Sequence, residues 1–392
     1  MSTIDLIVGP QHPALHEPER FTFKIDGERV IDVQPRVGYA HRAIEKAAEQ
    51  RTFLQDIYLA ARVCGICNTA HTTSFCQAVE EIYGAEVPPR ARYIRSIVQE
   101  VHRLHSHLLL LGVAGELVGF ESLFMYIWRD REAVLDLIEK TTGNRVHTDI
   151  NTFGGVRRDI SPELASELKN GLNPLLKRMK HYKKVFTDDP TIRLRFINVG
   201  ILKPTDAIDL CAVGPTIRGS GIKTDIRAQD PYAAYDEIPL NVITYQENDS
   251  WARLMVRLDE VTESVNMIQY AIDHLPDGPT RIRLPNMVPA GEAVGRVEAP
   301  RGELLHHVIS NRSDKPYRLK IRTPTLANFP AACHFLKGIN IADIPVALVS
   351  IDPCFSCTDR VALIDSKRDE KRSLTIGDIN KEYWRRKRSR RE

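Results

Sequence analysis

The feature that most constrains this chain is a pair of pairs. Cysteines stand as Arg62-Val-Cys64-Gly-Ile-Cys67 and as Asp352-Pro-Cys354-Phe-Ser-Cys357, with 286 residues between Cys67 and Cys354. Two residues between cysteines let both sulfurs turn toward one point, and Gly65 eases the tight backbone. Four thiolates meeting at one centre require a fold that brings both ends of the chain together. Such a centre suits a soft, thiophilic metal: zinc, iron–sulfur or nickel. The spacing leaves alternatives open. A zinc ribbon holds its pairs within about 15–20 residues of each other. A thioredoxin-like redox pair follows a strand inside a βαβ unit, which Cys64 and Cys67 do not obviously do. A metal site is favoured over a redox pair or coincidence. The remaining Cys76, Cys211 and Cys333 have no such partners and read as small, buried apolar residues.

Length and charge narrow the setting. A chain of 392 residues can bury a large core without disulfides. Seven cysteines are an odd number and do not make a disulfide framework. No secretory signal is visible over Met1–Gly9, so a reducing, cytoplasmic setting is expected. Lys and Arg number 54 against 51 Asp and Glu, which gives no field for nucleic acid. The most apolar stretch, Leu108–Trp128, carries Glu116 and Glu121 and reads as a buried helix rather than a membrane span.

The patterning is that of an α+β protein, a mainly helical core with a small N-terminal β region. Residues 1–45 are β-rich. Asp5–Val8, Phe21–Ile25 and Val30–Val33 alternate, with Asp26-Gly27 as a hairpin turn between the last two. From 46 to 360 helical periods dominate. Ile94, Ile97, Val98, Val101, Leu104, Leu108 and Leu111 predict a long helix packed on one face, started by Pro88-Pro89. Leu164–Phe186, after Ser161-Pro162, and Trp251–Ile272 predict two more. Residues 282–330 read as irregular with a few strands, and Pro345–Ile351 as a buried strand. Residues 361–392 form a basic C-terminal extension.

The residues also carry a family resemblance. The two cysteine motifs, the second continuing as Thr358-Asp-Arg360, resemble the signature of the large subunit of nickel–iron hydrogenases. Gly9-Pro-Gln-His12-Pro-Ala-Leu-His-Glu17-Pro-Glu19, Gly154-Gly-Val-Arg-Arg-Asp159, Gly214-Pro-Thr-Ile-Arg218-Gly-Ser-Gly-Ile-Lys-Thr-Asp225 and Glu298-Ala-Pro-Arg301-Gly-Glu303 narrow this to the membrane-associated, energy-converting branch. That branch includes the formate hydrogenlyase large subunit and is similar to the quinone-site subunit of respiratory complex I.

The resemblance implies a centre of nickel and an iron carrying carbon monoxide and cyanide. Cys64 and Cys354 would bind nickel terminally, and Cys67 and Cys357 would bridge the metals. Cys354 would serve as the base when hydrogen splits, and Glu17 would relay the proton. Arg301 would lie beside the iron, paired with Asp352, and Thr325 would hydrogen-bond a cyanide. Glu19 reads as a surface residue. His12 does not discriminate between the hydrogenases and complex I. His102 and His105 read as core or partner-facing, and Arg157, Arg158, Arg218 and Lys223 as structural or interface residues.

Iron–sulfur clusters would sit only in a partner small subunit. Membrane-arm subunits would hold the complex on the cytoplasmic face, with ferredoxin or a formate dehydrogenase module beyond. A maturation protease would cut after Arg360. Where many hydrogenases carry histidine three residues after the last cysteine, this chain has Arg360, as the membrane-associated branch does. The rival readings are a complex I-like or sulfur-reducing relative and a non-catalytic zinc scaffold. Four intact cysteines and Glu17 argue against the quinone-site version.

Overall fold

The computed structural model describes residues 3–358, apart from 13, 14 and 16, and beyond them the backbone of two short paired strands, Leu363–Asp365 and Glu370–Arg372. Arg360 and the remainder of the basic extension lie outside the described residues. The architecture is α+β, with helices predominating over small antiparallel sheets.

The chain opens with strands β1 (Ile4–Val8), β2 (Arg20–Asp26) and β3 (Arg29–Arg36), hydrogen-bonded in that order. Alternation buries Phe21, Phe23 and Ile25 on one face, and Gly27, at φ +58°, makes the tight turn that pairs Asp26 with Arg29. The main helices follow: α1 (Phe53–Ala61), α2 (Asn68–Tyr83), α3 (Pro89–Leu117), α4 (Glu121–Thr142), α5 (Pro162–Asp188) and α6 (Ser250–Asp273). Thr52 starts α1 with a reciprocal capping box to Gln55, and Ser161 caps α5 just before Pro162.

Helix α3 corrects the one-faced expectation. It is buried nearly all round, and its polar residues face other buried groups. Arg95 holds Glu80 through two hydrogen bonds of 2.7 and 2.8 Å. Glu100 and Arg103 join Arg227, and His107 meets Glu260 at 2.8 Å. An apolar stripe revealed the helix but not these partners, which come from distant sequence. The stretch Leu108–Trp128 is likewise two helices rather than one. The chain reverses at Gly119, φ +79°, and α4 folds back so closely that a Cβ on Gly112 would meet the Trp128 ring at 2.4 Å. Among the described residues no helix is long and apolar enough to cross a membrane.

Residues 282–330 are more regular than expected. Strands β4 (Val288–Ala299) and β5 (Gly302–Ser313) form a long hairpin, joined on its far edge by β6 (Arg318–Arg322), and helix α7 (Pro324–Phe335) follows. The hairpin lies against α2, with the Ser74 hydroxyl donating to the Gly295 carbonyl. The expected strand at Pro345–Ile351 is instead helix α8 (Ile344–Val349). A short, wholly apolar run has no period to separate strand from buried helix, and Pro345 suits the first turn of a helix, where no amide donor is required.

Asp56 in α1 is fully buried, and neither carboxylate oxygen has a hydrogen-bond partner. Burial pushes its pKa from 3.8 up to about 8, with Arg51 pulling weakly the other way. The folded state therefore holds a proton that the unfolded chain releases above about pH 4. Stability falls as pH rises from there toward 8. Asp56→Asn is expected to remove this slope, narrowing the gap between melting temperatures at pH 5 and pH 8 by about 5 °C. Thermal unfolding of both proteins at the two pH values is the check, and equal gaps would refute the assignment.

Candidate metal centre

The first cysteine pair lies in the turn between α1 and α2. The amides of Ile66 and Cys67 donate to the Cys64 sulfur at 3.3 and 3.2 Å, so the two-residue spacing folds the loop around that atom. Asn68 braces it, donating to the carbonyls of Gly65 and Val146. The second pair occupies a single 3-10 turn, Phe355–Cys357, entered from Cys354. There the Cys357 amide donates to the Cys354 carbonyl, and the Cys354 amide donates to Thr325 Oγ1 at 3.2 Å.

The fold brings the two pairs together. Cys64 and Cys354 sulfurs are 3.3 Å apart, and Cys67 and Cys357 sulfurs 3.6 Å apart. All four side chains are buried. Arg42 ties the loops to each other. Its guanidinium donates to the carbonyls of Arg62 and Val63 beside the first pair and to Ser356 within the second, at 2.8–3.0 Å.

The charges in the cluster show what it fits. Hydrogen bonding with Cys354, then Cys357 and Cys67, holds the Cys64 thiol well below its usual range, helped by the charge of Arg301 and opposed by burial. Cys357 goes the other way, pushed well up by the sulfurs of Cys354, Cys64 and Cys67 and by burial. Without added positive charge the cluster resists ionising together. Thiolate ligands must be deprotonated to bind metal, so a cation of charge two or more supplies what the four sulfurs lack. Separations of 3.3–3.6 Å also match sulfurs sharing a metal at about 2.3 Å each. The residues present fit a thiophilic metal centre.

Arg301 reaches this cluster from the tip of the β4–β5 hairpin. Ala299 pairs with Gly302, so Pro300 and Arg301 form a two-residue turn. Close packing of Gly302 on Gly214, where a Cβ would lie 2.3 Å from the other backbone, lets the turn enter the interior. Arg301 Nε and Nη2 donate to the Asp352 carbonyl and carboxylate at 2.6 and 2.7 Å, and Nη1 donates to Ser106 at 3.3 Å. Asp352 adopts left-handed backbone, φ +56°. Glu17 is half-buried, and its carboxylate accepts from the amide and hydroxyl of Ser356 at 2.9 and 2.5 Å.

The family of the respiratory-chain NADH dehydrogenase 49 kDa subunit matches residues 118–288 and 282–360, and the nickel-dependent hydrogenase family matches residues 42–111. The membrane-bound hydrogenase subunit alpha of Pyrococcus furiosus is 39% identical, over 95% of this chain and 91% of its own length. This chain belongs to the large-subunit family that nickel-dependent hydrogenases share with the 49 kDa subunit of respiratory NADH dehydrogenase. Another member, the carbon monoxide-induced hydrogenase of Rhodospirillum rubrum, is 39% identical over 92% of this chain and all of its own. A subunit of an archaeal membrane-bound sulfane sulfur reductase superposes with a TM-score of 0.87 at 31% identity, covering 91% of this chain and 98% of its own.

Within this family frame, several residues near the sulfurs escaped the reading of the sequence. His71 is one: a ring nitrogen lies within 4.8 Å of the Cys67 and Cys357 sulfurs, and its Nδ1 meets His306 Nε2 at 2.9 Å. The signal was its place four residues after Cys67, one helical turn along α2. Burial lowers its pKa to about 4, against the charge of Cys64, so the ring is neutral. Glu19 is not a surface residue but fully buried. It lies one residue before β2, in phase with the inward-facing Phe21, Phe23 and Ile25. Its polarity masked a period the neighbouring residues display.

The other expectations divide. His102 and His105 are buried, their rings edge to face at 4.9 Å. Arg218 is buried and held by Glu260 and Glu298, which fits a structural role. Arg157 is exposed over the Tyr58 ring. Cys76 is buried as expected, but Cys333 is partly exposed and Cys211 exposed. Cys211 follows a short helix, Pro204–Asp209, in left-handed backbone at φ +52°, a surface turn position.

Proposed function

We propose that this chain is the catalytic subunit of a nickel–iron hydrogenase, interconverting hydrogen with protons and electrons. The observation that carries this reading is the meeting of four buried cysteine sulfurs from opposite ends of the chain beneath an arginine held by an aspartate. When bound, a nickel–iron centre supplies the redox-active metals at which hydrogen is cleaved. Cys64 and Cys354 would be ligands to nickel, and Cys67 and Cys357 would be ligands shared with the iron. A hydrogen-bond-donating guanidinium at Arg301 suits cyanide ligands on the iron and keeps positive charge over the site. Asp352 orients it. Thr325, already bound by the Cys354 amide, has its hydroxyl proton available for the other cyanide.

Proton movement is assigned to this chain's own groups. The Cys354 sulfur receives a proton, and Glu17 takes it outward. The Glu17 charge reaches that thiol, and its half-exposed carboxylate opens toward solvent. Electrons leave through an iron–sulfur small subunit, since the remaining cysteines are scattered. Membrane-arm subunits, ferredoxin or a formate dehydrogenase module, attachment to the cytoplasmic face and trimming after Arg360 by a maturation protease belong to the same reading. A second reading, a complex I-like or sulfur-reducing subunit, is favoured by the long match to the 49 kDa family and by the sulfane sulfur reductase fold.

The deciding experiment is metal analysis with infrared spectroscopy of the complex purified from its host. Nickel with bands of metal-bound carbon monoxide and cyanide is the expected result. Zinc without nickel would make the chain a structural scaffold, and hydrogen-inert protein reducing a sulfur acceptor would favour the second reading.

A further inference from the structure

Glu19 bears on the centre in a way the proposed proton path does not use. Its carboxyl is wholly buried and has two partners: the Arg20 amide at 3.2 Å and the Thr358 hydroxyl at 3.3 Å. Among the described residues no cation pairs with it. Arg20, the first residue of β2, lends only its amide. Glu17, two residues back, is committed to Ser356. On the facing turn the titratable groups are the thiols of Cys354 and Cys357.

Hydrogen counting decides which form of Glu19 fits. Thr358 has one hydroxyl proton and two acceptors within reach, the Phe355 carbonyl at 2.7 Å and Glu19 Oε2 at 3.3 Å. A hydroxyl donates once and accepts twice. The shorter contact takes the proton, so the Glu19 contact is satisfied only if Glu19 is the donor, as a carboxylic acid. An ionised Glu19 would instead draw the hydroxyl to itself. The Phe355 carbonyl would keep only the Thr358 amide, 2.9 Å away, to hold the turn that carries Cys357.

We propose that Glu19 is a proton-dependent positioning residue for the Cys357 turn, clamping it through Thr358 when protonated and loosening it when its proton is released to solvent. Burial, against the weaker pull of the Arg20 amide and Thr358, places the change at about pH 7, within working range. The link to turnover rests on the hydrogenase reading, but the switch itself is testable in the metal-free full chain.

Two readouts test it. In the infrared, the carboxylic-acid C=O absorption that fades between about pH 6 and pH 8 should include a Glu19 band, seen as the wild-type minus Glu19→Gln difference beside the bands of Asp56 and Glu298, which Glu19→Gln retains. In hydrogen exchange followed by mass spectrometry, residues 353–358 should lose protection at least threefold across the same interval, after correction for intrinsic rates. Glu19→Gln, whose amide still donates to Thr358, should show no such loss. Thr358→Val, which keeps the acid but removes the switch, should keep the band and lose the pH-dependent protection. An unchanged band in Glu19→Gln, or pH-dependent protection persisting in Thr358→Val, would overturn the proposal. Absence of hydrogenase activity would change neither readout.

Discussion

Serine in place of Cys67 is expected to leave the chain folded and almost free of nickel. Cys67 stands at the N-cap of α2 and makes no side-chain cap bond there, and serine is among the preferred residues at that position. The helix should be kept, with a melting temperature within a few degrees of wild type. The sulfur is what cannot be replaced. It faces Cys357 at 3.6 Å in a nearly dry cluster, and a serine hydroxyl is a harder, far less acidic donor that stays protonated there. Nickel should fall below about one-tenth of wild type by mass spectrometric metal analysis, and hydrogen uptake should be lost. Full uptake in a folded Cys67→Ser protein would remove Cys67 from the ligand set.

Glu17→Gln is expected to separate metal binding from proton traffic. Glutamine preserves shape, and its carbonyl oxygen can still accept from the Ser356 amide, the 2.9 Å contact seen for Glu17. Its NH2 can donate to the Ser356 hydroxyl. What it lacks is a proton it can give and take. Removing a positioned acid–base group typically costs 10²–10⁴-fold, so hydrogen–deuterium exchange should drop at least about a hundredfold while nickel and the carbon monoxide and cyanide bands remain. Normal exchange in a metal-loaded Glu17→Gln protein would route the proton elsewhere, with Glu19 the next carboxyl to examine.

What the sequence made legible follows from how far each signal reaches along the chain. The cysteine spacing is local, so the shape of each pair was readable. Their union required only that two motifs demanding the same partner exist. The long helices announced themselves through period and caps. Arg301 and Asp352, adjacent in the fold, were paired only through the family resemblance, since no local pattern links a hairpin tip to a loop 51 residues later. Arg42 was invisible for a related reason. It works through its reach to three backbone carbonyls, and a carbonyl leaves no mark in a sequence. Glu19 and the polar face of α3 were misjudged because a charged residue was taken as exposed. Both are inward, and what permits it, a hydroxyl in one case and distant carboxylates and arginines in the other, lies far away in the chain. The apolar run at 345–351 failed oppositely, by having no polar residue to reveal its period.

The clamp of Arg42 across both cysteine loops has a consequence for biosynthesis. With 286 residues separating Cys67 and Cys354 and synthesis running at about 5–20 residues per second, Cys64 and Cys67 wait roughly 15–60 s on the ribosome before Cys354 exists. During that interval half of the proposed ligand set is a dithiol without its counterpart, open to oxidation and to capture of stray zinc. The centre therefore cannot assemble as the polypeptide emerges. On the proposed reading, the four-sulfur set is complete only in a nearly finished chain, once the second loop has docked beneath Arg42.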